Sequence, residues 1–328
     1  MSVNLTRWLL AGVTALCAAA NVVAEDTVIR RLGTIDEYIV ETSPIVHKGK
    51  LWLFEYIRYT NENKKYAGNT LGASYFRFRD LESLQDFTPP FAKGLHLGSA
   101  FAEGDRVVVT GVRGWGDDRF LLTESSDLVN WTEPRVILSG EGWSGFNTSI
   151  CKAGDRYVMV YELGKPKDLV GHPFTMFFAE SRDLRDWKTI PGAVFGKDFY
   201  TGAPLLRHFD GMFYFFYLDH QNGTYRTRVA RSRDLKAWEI SPKIVMAHED
   251  AADRAIHPKA RLSDTQRKSI AVAENRNVSD LDFCFHGGRL VCAYSWGNQL
   301  GTEFLALGEV KGMTEQAFCE SFFEKTER

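Results

Sequence analysis

The chain has 328 residues, 44% apolar and 25% charged, and 40 Lys and Arg stand against 42 Asp and Glu for a formal net charge of −2. This excludes a disordered or collagen-like chain, a strongly basic nucleic-acid binder and a small disulfide-stapled scaffold. Aromatic residues reach 13%, which points to a β-rich core, to stacking on ligands, or to both.

Residues 1–24 read as a secretion signal. Arg7 supplies the positive start. Residues 8–20 form an apolar run too short to span a bilayer comfortably, and Val22, Val23 and Ala24 are small enough for cleavage before Glu25. Cys17 belongs to the apolar run, because Leu16 before it is too large for lipoprotein processing. The expectation is a secreted or periplasmic mature chain, residues 25–328, forming one domain without a membrane span.

The first unit of the mature chain contains a Gly turn and an aromatic strand, Lys48-Gly49-Lys50-Leu51-Trp52-Leu53-Phe54, and ends at Phe78-Arg79-Asp80-Leu81. The second repeats the turn at Gly104 and ends at Ser125-Ser126-Asp127-Leu128-Val129-Asn130-Trp131. The third turns at Gly154 and ends at Ser181-Arg182-Asp183-Leu184-Arg185-Asp186-Trp187. The fourth turns at Gly211 and ends at Ser232-Arg233-Asp234-Leu235-Lys236-Ala237-Trp238. A fifth turns at Gly287-Gly288, with a faint ending near Glu309. The Asp positions 80, 127, 183 and 234 are 47, 56 and 51 residues apart, the size of a four-stranded unit. Short outer strands are expected at 135–138 and 244–246. Apolar runs bounded by Gly turns are hairpin signals, so the fold class is all-β: a five-bladed β-propeller with four antiparallel strands per blade. The Asp of each S-x-D-L-x-x-W element is expected to satisfy backbone donors, and the Trp to pack between blades. Residues 262–275 fit no blade and suggest a short helix capped by Ser263 or Asp264.

Of the cysteines beyond the signal, Cys151, Cys284, Cys292 and Cys319, none has zinc-ligand spacing. Cys284 and Cys292 flank a hairpin turn, as a disulfide or, by preference, as two thiols on adjacent strands.

The five units with S-x-D-L-x-x-W endings resemble the five-bladed propeller glycoside hydrolases, the superfamily around families 32, 43, 62, 68, 117 and 130. The resemblance spans nearly the whole mature chain. It implies inverting sugar cleavage in an axial funnel by three carboxylates: a base on the first blade, a modulating Asp on the third and an acidic Glu on the fourth. Glu41, eight residues before Gly49, falls near the first, with Ser43-Pro44 close by. Asn147 stands at the second and Gly202, before Ala203-Pro204, at the third, so the usual triad is not reproduced. Family 117 shows that the superfamily tolerates relocation of the acid.

Strand direction supplies a second route to the site. In a propeller blade the start of the first strand and the end of the second share a face. The starts are Glu41, His96, Asn147, Gly202 and Asp280; the ends are near Glu55, Arg113, Glu162, Asp219-His220 and Trp296. Start-to-end separations are 14, 17, 15, 17 and 16 residues. Glu162 is expected as general acid, with its pKa raised by burial, and Asp280 or Glu41 as the base; the two roles are exchangeable. Glu55, Arg113, Asn147, Asp219, His220 and Trp296 are expected to bind substrate. Asp282 joins them, because it lies two residues from Asp280 and shares its side of the strand. Trp115 and Trp143 join them as Gly-flanked stacking surfaces, and His172 as a hydroxyl ligand.

These readings converge on an exported glycoside hydrolase that acts on plant or algal oligosaccharides or polysaccharides by carboxylate acid–base catalysis, exo-acting and inverting. No cofactor is required, although an axial channel of carbonyls and Asp side chains suits a structural Ca²⁺. A non-catalytic carbohydrate-binding propeller is the alternative, motivated by Asn147 and Gly202. No nucleic-acid partner is expected.

Overall fold

The computed structural model describes residues 28–58, 74–172 and 174–324. The expected signal segment lies outside the described residues. The chain is all-β, built from antiparallel sheets.

β1 (Arg30–Glu37) runs first and pairs last, with β19. The first strand group is β2 (Thr42–His47), β3 (Lys50–Ile57) and β4 (Tyr75–Asp80). The second is β5 (His96–Glu103), β6 (Arg106–Val112), β7 (Arg119–Ser125) and β8 (Arg135–Ser139). The third is β9 (Gly145–Ala153), β10 (Arg156–Leu163), β11 (Thr175–Ser181) and β12 (Lys188–Phe195). The fourth is β13 (Gly202–Phe209), β14 (Met212–Gln221), β15 (Thr224–Ser232) and β16 (Glu239–Ile240). The fifth is β17 (Asn277–His286), β18 (Arg289–Gly297) and β19 (Glu303–Lys311), completed by β1. The fourth and fifth groups join through a single parallel pair, Tyr225 with Asn277.

Each group opens with a two-residue hairpin. Lys48-Gly49, Asp210-Gly211 and Gly287-Gly288 have positive φ at both positions, as a type I′ turn requires. The other two carry their positive φ at Gly104 (58°) and Gly154 (66°). These turns fix the register of β2 to β3, β5 to β6, β9 to β10, β13 to β14 and β17 to β18.

The first strands of successive groups touch in order, β2 to β5, β9, β13 and β17, and β17 returns to β2. They form a closed ring about one axis. Aromatic residues fill the seams between groups. Trp131 stacks on Phe91 with centroids 3.9 Å apart, and Trp238 stacks on Phe178 at 5.5 Å.

Two expectations need correction. The first group has no fourth strand among the described residues; 87 and 91 make only isolated bridges to β4. The outer strand of the fourth group is Glu239–Ile240, and of 244–246 only Met246 makes a bridge, to Thr227. The expected short helix is present within 262–275, running Asp264–Val272. Ser263 caps it in a reciprocal pair with Gln266. The four cysteines are free thiols. Cys284 opposes Val291 and Cys292 opposes Phe283, so neighbouring strands offset the two.

Candidate active site

The ring of first strands opens into a cavity of about 290 Å³. Glu41, Asn147, Gly202 and Asp280, four of the five strand starts, line it. The innermost strand has only the axis beside it, so residues at its mouth face the hole. The fifth start, His96, is buried instead and shares a 2.6 Å hydrogen bond with Tyr56.

Local backbone irregularity aims the acids. Glu41 and Asp280 have φ of 41° and 53°, as do the equivalent Leu97 (53°) and Ala203 (47°). Non-glycine residues seldom adopt this region. The ladder slips between Ser279 and Asp282, and on β10 between Tyr161 and Leu163, which flank Glu162. Such bulges re-aim side chains beside binding sites.

Glu162 is buried and accepts a hydrogen bond from Asn147, Nδ2 to Oε2 at 3.1 Å. Burial pushes its carboxyl up to about 8; the Asn147 bond works against this and the nearby Asp280 adds to it. Glu41 is pushed well above the usual carboxylate range by desolvation, opposed by Arg58 and reinforced by Asp280, Glu303 and Glu162. Asp280 is raised by burial and by Glu303, but the hydroxyls of Ser279 (2.5 Å) and Ser295 (3.3 Å) and the charge of Arg58 favour its ionised form. The three acids come from three strand groups, sense one another's charge and share one cavity.

Trp115 also lines the cavity. It is 40% exposed and meets Phe146 edge-on at 6.5 Å. Sequence reasoning missed much of the rest of the wall, including Arg58, Phe146, Phe174, Tyr200, Gln299 and Glu303. Arg58 and Glu303 form a buried ion pair at 2.9 Å. The signal for Arg58 was present, since it closes the apolar strand that contains Glu55, three residues further on. Glu303 opens a third strand, which the start-and-end rule does not sample.

The remaining expected residues lie away from this cavity. Glu55 is fully buried and bound by Arg77 (2.7 Å), its cross-strand partner on β4, and by Arg79 (2.5 Å), two residues on and on the same face. Arg113 is exposed, its backbone N–H bonded to Asp117. Trp143 stacks on Tyr161 at 5.5 Å over Gly140, where a Cβ would collide with its ring. His172 stands edge-on to Tyr200 at 6.4 Å, behind the lining. Asp219 is buried against Arg226 (3.4 Å) and Arg228 (3.8 Å). His220 is exposed and stacks on Tyr225 at 4.3 Å. Trp296 is fully buried, stacked on Phe304 and donating to Thr34 Oγ1 at 2.8 Å. Asp282 does not share the aim of Asp280, since the bulge between them breaks the alternation. It pairs with Arg207 at 2.6 Å and lines a smaller cavity of about 30 Å³ beside the first.

That smaller cavity also touches Glu41, Asn147 and Asp280, and its size suits ordered water. Among the described residues no cluster of three or more His, Cys, Asp or Glu is placed to hold a metal. No described helix is long and apolar enough to cross a membrane.

No family model and no curated protein matches the chain. Solved structures do match its fold. A structure described as "Glycoside hydrolase" aligns over 87% of this chain and 93% of its own, at 13% identity and TM-score 0.56. The α-L-arabinofuranosidase PaAbf62A of Podospora anserina, in complex with cellotriose, aligns over 86% and 97%, at 9% identity and TM-score 0.55. The GH32 β-fructofuranosidase BmSUC1 of Bombyx mori aligns over 88% and 64%, at 15% identity and TM-score 0.54. At these identities the likeness is one of fold.

Proposed function

We propose that the chain is a five-bladed β-propeller glycoside hydrolase, the five strand groups being its blades. One observation carries the reading: three carboxylates from three groups meet in a single axial cavity, and the most deeply buried, Glu162, keeps its proton at neutral pH. Glycoside cleavage needs this division of labour, one carboxyl protonated for the leaving oxygen and one ionised for the attacking water. The fold shared with an arabinofuranosidase and a fructofuranosidase supports it.

Glu162 is the general acid. Asn147 holds Oε2, which leaves Oε1 to carry the proton to the glycosidic oxygen. Asp280, its charge favoured by two hydroxyls and Arg58, is the base that takes a proton from water. Glu41, crowded by the other acids, holds a sugar hydroxyl. Trp115 offers a stacking face at the mouth. About 290 Å³ is at the small end of ligand pockets, which suits one terminal sugar of an oligosaccharide and hence exo action. Inversion is taken from the family resemblance. No cofactor is needed. Export follows from the reading of residues 1–24, and mass spectrometry of the mature N-terminus checks it.

The test is a screen of aryl glycosides and plant or algal oligosaccharides, with the anomer of the first product followed by NMR. Glu162→Gln should lower kcat by about 10²–10⁴ and leave sugar binding in place. Binding without turnover by the unmodified chain would make it a carbohydrate-binding propeller instead.

A further inference from the structure

Four carboxylates line the cavity, Glu41, Glu162, Asp280 and Glu303, against one guanidinium, Arg58; no Lys or His joins them among the described residues. Recognition of a sugar carboxylate calls for a cation with donors left to offer, most often a guanidinium that grips both oxygens. Here the one cation among the described lining residues is paired with a carboxylate and almost wholly buried. Arg58 Nη2 donates to Glu303 Oε2 at 2.9 Å, with the two side chains only 4% and 8% exposed. Glu303 is held in place by the backbone: its carbonyl accepts from Tyr38 N at 2.7 Å, and its strand pairs it with Gly297. Even with Glu41 and Glu162 set aside, two carboxyl groups, Asp280 and Glu303, face the single guanidinium of Arg58 among the described lining residues. An anionic ring would have to shed water to enter a like-charged cavity.

We propose that Glu303 is a specificity-determining residue: by engaging Arg58 it makes the cavity accept uncharged sugar rings and reject uronic acids. The inference rests on the reading of this cavity as a sugar site, and it names the substrate class.

The probes are aryl glycosides of glucose, galactose and xylose set against those of glucuronic and galacturonic acid, with the free monosaccharides as binding partners in calorimetry. The unmodified chain should prefer a neutral probe over its uronic counterpart by at least about tenfold in kcat/KM or Kd. Glu303→Gln, nearly isosteric, should narrow that ratio by about tenfold or more, chiefly by improving the uronic probe. Equal or better use of the uronic probe by the unmodified chain would overturn the inference and leave the hydrolase reading standing. Neutral sugars bound but never cleaved, with uronic acids still rejected, would overturn the hydrolase reading and support the inference. A chain that neither cleaves nor binds any probe overturns both. Should Glu303→Gln fail to fold, Glu303→Asp, which keeps the charge but shortens its reach to Arg58, takes its place and should narrow the ratio in the same direction. A folded variant with an unchanged ratio removes Glu303 from the role.

Discussion

A buried carboxyl is expensive to ionise, and Glu162 bears that cost with little relief. Its neighbours supply one amide donor and a like charge, so burial wins and the carboxyl rises from 4.5 to about 8. Glu55, equally buried, meets two guanidinium groups instead and sits in an ion-pair cluster with Arg77 and Arg79. The two residues lie on similar apolar strands, yet Glu55 is engaged by two guanidinium groups and Glu162 is not. The raised value has a thermodynamic sign. Between pH 4.5 and about 8 the folded chain retains a proton at Glu162 that the unfolded chain has released, so this group's contribution to stability is full below 4.5 and declines as pH rises to about 8. Glu162→Gln removes that decline. Its melting temperature should gain on the unmodified chain as pH goes from about 5 to about 8, measured by calorimetry; parallel curves would show that Glu162 is ionised when folded. For the same reason kcat/KM of the unmodified chain should fall above about pH 8 as the acid loses its proton.

At the scale of the element, the S-x-D-L-x-x-W turn serves the fold. In each copy the Asp Oδ1 accepts two successive backbone N–H groups, Val129 and Asn130 for Asp127, Arg185 and Asp186 for Asp183, Lys236 and Ala237 for Asp234, at 2.8–2.9 Å. The Leu after each Asp, Leu128, Leu184 and Leu235, is buried at φ 63–65°. Those bonds hold the Asp183 carboxyl down at about 2. Asp183→Ala should therefore lower the melting temperature at neutral pH without changing kcat/KM, and the difference should shrink as pH falls from 3.8 towards about 2, where the native carboxylate takes up its proton. A drop in activity at full folding would make the turn part of the site. The same regularity explains why so much of the fold was legible beforehand. Gly turns and repeated endings are local chemistry, so hairpin order and strand starts could be read directly, and with them Glu41, Asn147 and Asp280. Glu162 was the one strand end that reached the cavity. The other ends were misplaced because the second strand lies between its neighbours, where alternation decides which side chains face the next sheet. Bulges at Glu162 and before Asp282 break that alternation, and period-two reasoning cannot see them. Arg58 and Glu303 meet across 245 residues, a pairing that only the closed ring creates.

The ring itself is closed by residues from opposite ends of the described chain. β1 lies along β19, with Arg30 beside Glu309. It is tied from its other side by Thr34, whose N–H donates to Ala255 and whose carbonyl accepts from His257. Arg31 reaches the buried Asp253, which also accepts from Asn275 and from the backbone of Glu249. Trp296 belongs to this seam through Thr34, which is why it is a core residue and not a sugar platform. Gly33 stands where β1 slips register, at φ 109°, and a Cβ there would sit 2.6 Å from His257 N and 2.8 Å from Ile256 C. Both neighbours are backbone, so neither can turn aside. Gly33→Ala therefore combines an unfavourable φ with a collision. Gly49→Ala at a hairpin has a positive φ of 75° and open space around it, and should cost only about 1 kcal/mol. Chemical denaturation of both variants should show Gly33→Ala losing clearly more than Gly49→Ala. Because Glu303 lies on β19 beside the seam, the loss should be accompanied by a weaker substrate preference in the fraction that remains folded. Equal losses from the two substitutions would mean that β1 can yield at the seam, and that ring closure places little demand on the backbone at Gly33.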